Sequence, residues 1–250
     1  MPIRPFPRLP DFPIVDLENQ KFNMSTTNSG SHPPASERVT VRRLANRGHY
    51  DRTTIHSLLD SGFICHVGFT IDGQPRVLPT AYVRIDGSVY LHGSPGNQML
   101  RAMLAGGDVC LCATHVDGLV LARSAFHHSI NYRSVVLFGR AHEVLDPGEK
   151  AGVLEALSEH IIPDRWPEIR RPTEAELLGT LVVGIHIDEA SAKIRTGPPK
   201  DDEEDYALPI WAGVVPLSAV AGEPIRDPRL ALEIAMPRHV ADYIDRRSRE

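Results

Sequence analysis

Cysteine is scarce: Cys65, Cys110 and Cys112 are the only three in 250 residues. An odd, sparse set builds no disulfide framework, which points to a reducing compartment and a cytoplasmic location. Positive charge is in deficit, with 27 Lys and Arg against 32 Asp and Glu and a formal net charge of -5. That argues against a nucleic-acid binder that works through a generally basic surface. No apolar run approaches the roughly 18 residues of a membrane span. The N-terminal stretch holds no compact apolar segment of the kind that opens a secretory signal. Signature loops are missing too: there is no Walker loop, G-x-S-x-G elbow, H-E-x-x-H pair or C-x-x-C. The chemistries that depend on them have no local support.

What remains is 42% hydrophobic and 24% charged, the balance of one medium globular domain with appendages. Residues 1–38 are unlike the rest. Seven prolines and the polar run Ser25 to Ser31 bury too little to offset the entropy of ordering. A disordered or loosely draped arm is expected there, and Met24 is a second candidate for the natural start. The globular body is expected over 39–217 and a helical tail over 218–250, with helices around Leu230–Ile234 and Val240–Ile244.

The stretch from Gln74 to Gln98 organises the body. Asp72-Gly73 and Asp86-Gly87 each lie between extended, apolar-rich runs, a strong hairpin signal because type I′ turns need two residues tolerant of positive φ. Pro75 and Pro79 cannot donate to a ladder, so their strand is an edge, bulged, or open to a ligand. After Val89-Tyr90-Leu91, the small-residue loop from His92 to Gln98 opens a helix. Two readings stand for that loop: a phosphate cradle of unpaired N–H groups, or an ordinary turn with Asn97 as N-cap. Further strands are predicted at 63–71, 108–116, 119–122 after an Asp117-Gly118 turn, 132–144 and 181–187. Asp51 caps a helix whose stripe is Ile55, Leu58 and Leu59, and Asp146-Pro147 opens another. Six main strands on short turns, with few helices, predict an α+β chain: a six-stranded antiparallel split β-barrel decorated by helices.

Chemistry-bearing residues are few. Cys110 and Cys112 share one face of a strand, where buried packing outweighs a metal site for want of a second Cys pair. His127-His128 stands alone, a structural or solvent-facing pair or a haem ligand. His92 sits beside the small-residue loop, able to donate to an anion or to backbone. Arg133, in an apolar strand, needs an anionic partner if it faces inward. Lys193 and Arg195 flank Ile194 and so share a face as a two-cation patch. The acidic run 201–205 reads as a solvated loop.

Taken together and in this order, IDGQPRVLPTAYVRIDGSVYLHGSPGNQ, NYRSVVLFGRA and AKIRTGPPKDDEEDYALPIWAGVVP resemble the flavin-nucleotide-binding branch of the pyridoxamine 5′-phosphate oxidase-like split barrels. The nitroimidazole-reductase-like proteins belong to the same group. The resemblance covers about Val39 to Leu217. It implies a homodimer with one FMN in each of two clefts between subunits. Val77, Leu78, Pro79 and Thr80 would lie along the isoalloxazine, with His92, Ser94, Asn97 and Gln98 near the phosphate or ribityl chain. Arg133 and Ser134 would come from the next barrel segment, and Lys193, Arg195 and Trp211 would close the cleft. An FMN-dependent oxidoreductase is implied, passing electrons from a reduced donor to a small acceptor such as a nitro compound, a quinone or oxygen, with His92 the best single catalytic candidate. Other readings are a non-catalytic FMN carrier or sensor, and a haem-binding or haem-degrading barrel ligated by His127, His128 or His92. Deazaflavin F420 is a further cofactor of the family. The C-terminus lacks the ending of true pyridoxamine-phosphate oxidases, which sets vitamin B6 phosphate aside as substrate.

Overall fold

The computed structural model describes residues 32–248. The expected N-terminal arm and the alternative start at Met24 fall outside these residues, except for 32–38. In that remnant Arg38 is tied down, pairing with Asp108 and Glu189 and lying over the Phe138 ring.

In chain order the elements are β1 (Gly48–His49), α1 (Arg52–Asp60), β2 (Ile64–Ile71), β3 (Gln74–Ala81), β4 (Val83–Ile85), β5 (Ser88–Gly93) and α2 (Gln98–Leu104). Then come β6 (Asp108–Leu121), β7 (Ser129–Glu143), α3 (Pro147–Ile161), α4 (Glu174–Leu178), β8 (Leu181–His186), β9 (Glu189–Arg195), β10 (Gly213–Pro216) and α5 (Arg238–Ser248). The strands pair in the order β3-β2-β6-β7-β8-β5-β4, with β9 and then β1 beside β7, and β10 beside β6. Every pairing is antiparallel. β7 serves two neighbours along one edge: Tyr132–Phe138 pair with β9, and Ala141–Glu143 pair with β8. There the barrel splits. The six predicted strands are therefore ten, in the predicted class.

Alternation decides what goes inside. Cys65, Val67 and Phe69 of β2, Val109, Leu111 and Ala113 of β6, and Val135 and Leu137 of β7 all point into one core. α1 closes that core with Ile55, Leu58 and Leu59, and α2 with Met99, Leu100 and Met103. Burying each such aliphatic side chain is worth about 1.5–3 kcal/mol. A second, smaller core lies on the outer side of β8, β5 and β4, where Val182 and Val83 meet Val153 and Leu157 of α3. The caps fall where the sequence puts them: Asp51 accepts from Thr54 N–H, Asn97 from Leu100 N–H and Asp146 from Glu149 N–H.

Four local expectations change. Asp117-Gly118 is no turn; β6 runs through it with a bulge between Val116 and Gly118, because β7 and β10 both continue the ladder past it. Asp72 and Gly73 both have positive φ, but at Asp86-Gly87 only Asp86 does, so the second hairpin is not type I′. Cys110 and Cys112 are not buried, because the inward parity of β6 belongs to Val109, Leu111 and Ala113. Residues 230–234 form no helix, and among the described residues the tail holds only α5; Pro228 and Pro237 bracket too short a stretch to propagate one.

Candidate functional site

The outward side chains of β6, β7 and β9 make one face that, among the described residues, no helix covers with a hydrophobic core. Register sets its rows: Thr114 opposite Ser134 and Lys193, Cys112 opposite Val136 and Ser191, Val116 opposite Tyr132 and Arg195. β2 adds His66 opposite Cys112, and β3 adds Pro79 opposite His66. Ser134, Lys193 and Arg195 are thus brought onto one surface, as the sequence implies. Arg195 is only 7% exposed, yet among the described residues it meets no carboxylate. It donates to Asn131 Oδ1, and Asn131 Nδ2 in turn donates to the Gly197 carbonyl at 3.2 Å. Burial, with Arg47 nearby, pulls its guanidinium below the ordinary arginine range. A buried cation without a counter-charge carries a desolvation cost that an anion in contact would offset.

Arg133 differs. It lies opposite Ile194, on the other parity, and makes a bidentate pair with Asp117 at 2.7 and 2.9 Å. Its anionic partner is inside the chain. Among the described residues β3 is an edge strand that pairs only with β2, in keeping with Pro75 and Pro79; Val77 and Leu78 are exposed on it. His92 ends β5 on the side where α3 packs, opposite Val182, and burial lowers its imidazole from the ordinary value. Ser94, Asn97 and Gln98 follow it. Asn97 spends its side-chain oxygen on Leu100 N–H, which is the ordinary capping role, and α2 is seven residues long. These four residues therefore belong to the β5–α2 connection, and Ser134, Lys193 and Arg195 to the β7–β9 face. Trp211 is exposed and turns its ring back over Gly213.

The loop between β6 and β7 carries a cluster that sequence reasoning only half found. Asp201, from the acidic run, is no solvated charge. Its carboxylate is fully buried and accepts from Arg123 N–H and from the Arg123 guanidinium, each at 3.0 Å. Burial alone would raise its pKa; the hydrogen bonds from Arg123 and Ser124 outweigh this and lower it. The Arg123 guanidinium also lies over Tyr206. Within this framework Arg123 Nε and Ser124 Oγ are buried without a hydrogen-bond partner among the described residues, and His127 Nε2 lies 3.3 Å from the Asp202 carboxylate. His128 Nδ1 sits 2.8 Å from the Ser124 carbonyl. A carbonyl accepts only, so Nδ1 carries a proton, and in the tautomer this selects Nε2 holds the lone pair. This is the arrangement that second-sphere carbonyls impose on metal-bound imidazoles. Beside it Phe126 is 89% exposed and Ile130 is also exposed. Among the described residues no group of three or more His, Cys, Asp or Glu gathers to hold a bare metal ion, and no helix is long and apolar enough to cross a membrane.

Comparison with known proteins agrees with this architecture. The family model described as pyridoxamine 5′-phosphate oxidase matches residues 51–194. The structure of the flavocytochrome Anf3 from Azotobacter vinelandii is 40% identical, with a TM-score of 0.80 over 84% of this chain and 97% of that one. An FAD and haem binding protein from Mycobacterium smegmatis is 36% identical, with a TM-score of 0.75 over 78% of this chain and 96% of that one. A protein from Bacteroides thetaiotaomicron named for 5-nitroimidazole antibiotic resistance shares the fold at 21% identity, with a TM-score of 0.51 over 59% of this chain and 86% of that one. No curated protein matches. By the span of the family model and by identity to nearly full-length relatives, the chain belongs to the flavin-binding, pyridoxamine 5′-phosphate oxidase-like family of split barrels.

Proposed function

We propose that this protein is a homodimeric redox protein that holds a flavin nucleotide on the β7–β9 face and a haem at the β6–β7 loop, passing electrons from a reduced donor to a small acceptor. The observation that carries the flavin half is Arg195, buried without a carboxylate and sharing a face with Lys193 and Ser134. These residues would take the phosphate of the nucleotide, with Asn131 holding the guanidinium in place. The expected cofactor, FMN, gives way here to FAD, because the 36% identical relative is named for FAD and haem.

The haem half rests on a second observation. His128 has its tautomer fixed by Ser124 O, its Nε2 free, and exposed Phe126 and Ile130 beside it to cover a porphyrin edge. His128 would be the haem ligand in this reading, while His127 Nε2 already faces the Asp202 carboxylate at 3.3 Å and would steady the loop beside it. When bound, a flavin exchanges electrons in pairs or singly and a haem exchanges them singly; the protein's part is to bind, orient and exclude water. His92, near the end of β5 with its imidazole pKa lowered by burial, has no assigned proton transfer in this scheme.

Visible absorption of the purified protein tests both halves. Flavin bands with a Soret band are expected, the released nucleotide co-eluting with FAD and not FMN. Arg195→Ala should lower flavin occupancy and spare the Soret band. His128→Ala should remove the Soret band and spare the flavin, with His66→Ala as its comparison. A protein with neither set of bands that takes up neither cofactor overturns the proposal. Flavin alone leaves the carrier or oxidoreductase reading without haem.

A further inference from the structure

Between β10 and α5 the chain makes a strap that does not fit a monomer. From Leu217 to Met236 no residue belongs to a helix or strand, and every residue except Ala221 is exposed. The strap is fixed at both ends. At its start Leu217 N–H donates to Asp117 O, continuing the β10–β6 ladder. At its far end α5 docks back on the body, with His239 buried near Glu168 and the Arg247 guanidinium over the Phe63 ring. In between, its shape is held by its own turn, where the Arg226 guanidinium donates to the carbonyls of Ala231 and Ile234. Ile225 is 97% exposed and Leu232 is 91% exposed, with Val220, Ile234 and Met236 open as well. A long connection without secondary structure is uncommon in a compact domain unless it has a task. Ordering one costs about 1–2 kcal/mol per residue, and apolar side chains in water return nothing against that.

We propose that the strap grips a second copy of this chain, its aliphatic side chains packing on the partner; this rests on the dimeric reading above. Two facts select a second copy as the occupant. The first is self-complementarity. The same chain exposes another apolar set on the outward parity of β2, β3 and β6 (Ile64, Val77 and Val116), and a two-fold axis brings each set against the other twice. The second is area. The chain exposes 17547 Å², whereas a compact monomer of 27.6 kDa carries about 11,000 Å². Setting aside about 5,000 Å², the most that 31 residues can expose, still leaves an excess of roughly 1,500 Å². A stable interface needs only about 800 Å² from each partner.

The test is sedimentation equilibrium of the full chain against an Ile225→Asp/Leu232→Asp variant, with Leu178→Asp, an exposed leucine of α4, as control. Neither strap residue is buried within the monomer, so circular dichroism should be unchanged. The wild type and the control should be dimeric, and the strap variant should dissociate about a hundredfold more readily. A monomeric wild type, or a strap variant as dimeric as the control, overturns the proposal. Hydrogen exchange of residues 217–236 gives a second reading: protection in the dimer that is lost on dilution supports it, and free exchange in a dimer overturns it. Absorption spectra of the same samples separate this from the cofactor reading. A colourless dimer dependent on the strap sinks only the cofactors, and a coloured dimer indifferent to the strap sinks only the strap.

Discussion

The barrel has two outer faces, and the described residues build a hydrophobic core over only one of them. Outside β8, β5 and β4, α3 lays Val153 and Leu157 on Val182 and Val83 and makes a second core. Outside β6, β7 and β9 the outward rows are Thr114, Cys112 and Cys110, Tyr132 and Ser134, Lys193 and Arg195, with no hydrophobic core built over them among the described residues. The covered face shows what a sheet surface needs in order to be stable within a monomer: β-branched side chains and a helix of matching stripe. The uncovered face has no such helix among the described residues, and among its β-branched side chains it keeps cations, hydroxyls and thiols where a ligand or a partner can meet them. The difference separates a surface selected for packing from one selected for binding.

The sharpest way to break the comparison is to charge both faces. Val182→Asp places a carboxylate in the α3 core, where the valine is fully buried. A loss of about 4 kcal/mol or more is expected, read as collapse of the thermal transition. Val77→Asp, at 64% exposure on the edge strand, should change the stability of the dissociated chain by less than about 0.5 kcal/mol. If the two cost the same, the faces are not different in kind. A smaller effect is expected at Gly184. A Cβ there would lie 2.6 Å from the His142 ring, so Gly184→Ala should cost about 1–3 kcal/mol through overpacking. Adding His142→Ala should restore part of that loss, which a double-mutant cycle in denaturant measures.

Much of the covered region was legible in the sequence. Alternation in β2, β6 and β7 names the inward residues, and the cap residues Asp51, Asn97 and Asp146 name where helices begin. The Asp117-Gly118 pair misled, because a turn dipeptide can be carried through a strand as a bulge when neighbours on both sides continue the ladder. Arg133 looked like a free cation; only the fold brings Asp117 to it. The role of Asp201 was hidden for the same reason: its partner Arg123 is distant in sequence, and a run of acids reads as solvated until one of them is found buried. Arg195 was legible as a cation sharing a face with Lys193, but not as the buried, uncompensated one. Val77 to Thr80, His92, Ser94, Gln98 and Trp211 came from resemblance, and the fold leaves them on separate elements of one chain.

A weaker probe of the two faces is pH. His92 and His142 both lie on the covered side, and burial is the first cause that lowers each from the ordinary value of 6.5; for His142 the neighbouring His186, stacked at 4.9 Å, adds to it. A histidine whose folded pKa is depressed takes its proton more readily in the unfolded chain. Its contribution is therefore complete above 6.5 and is lost as pH falls from there toward the folded pKa. Unfolding free energy should decline on acidification across that window, and His92→Asn with His142→Asn should flatten the decline. An unchanged slope would mean that the covered face does not desolvate them.

The smallest expected effect is kinetic and needs no loss of stability. Cys65 points into the core with its thiol pushed up to about 12 by burial, while Cys110 and Cys112 lie on the uncovered face. Burial also raises the Cys110 thiol. Since only the thiolate reacts, an aromatic disulfide reagent should modify Cys112 first, Cys110 more slowly, and Cys65 only on unfolding. In the dimer the first two should be shielded, and in the Ile225→Asp/Leu232→Asp variant they should open. If Cys110 and Cys112 react equally fast in both proteins, the partner does not cover this face, and the strap must grip elsewhere. If Cys65 keeps pace with Cys112 in the native chain, inward and outward parity of the barrel have been assigned the wrong way round, and the division between its two surfaces fails with them.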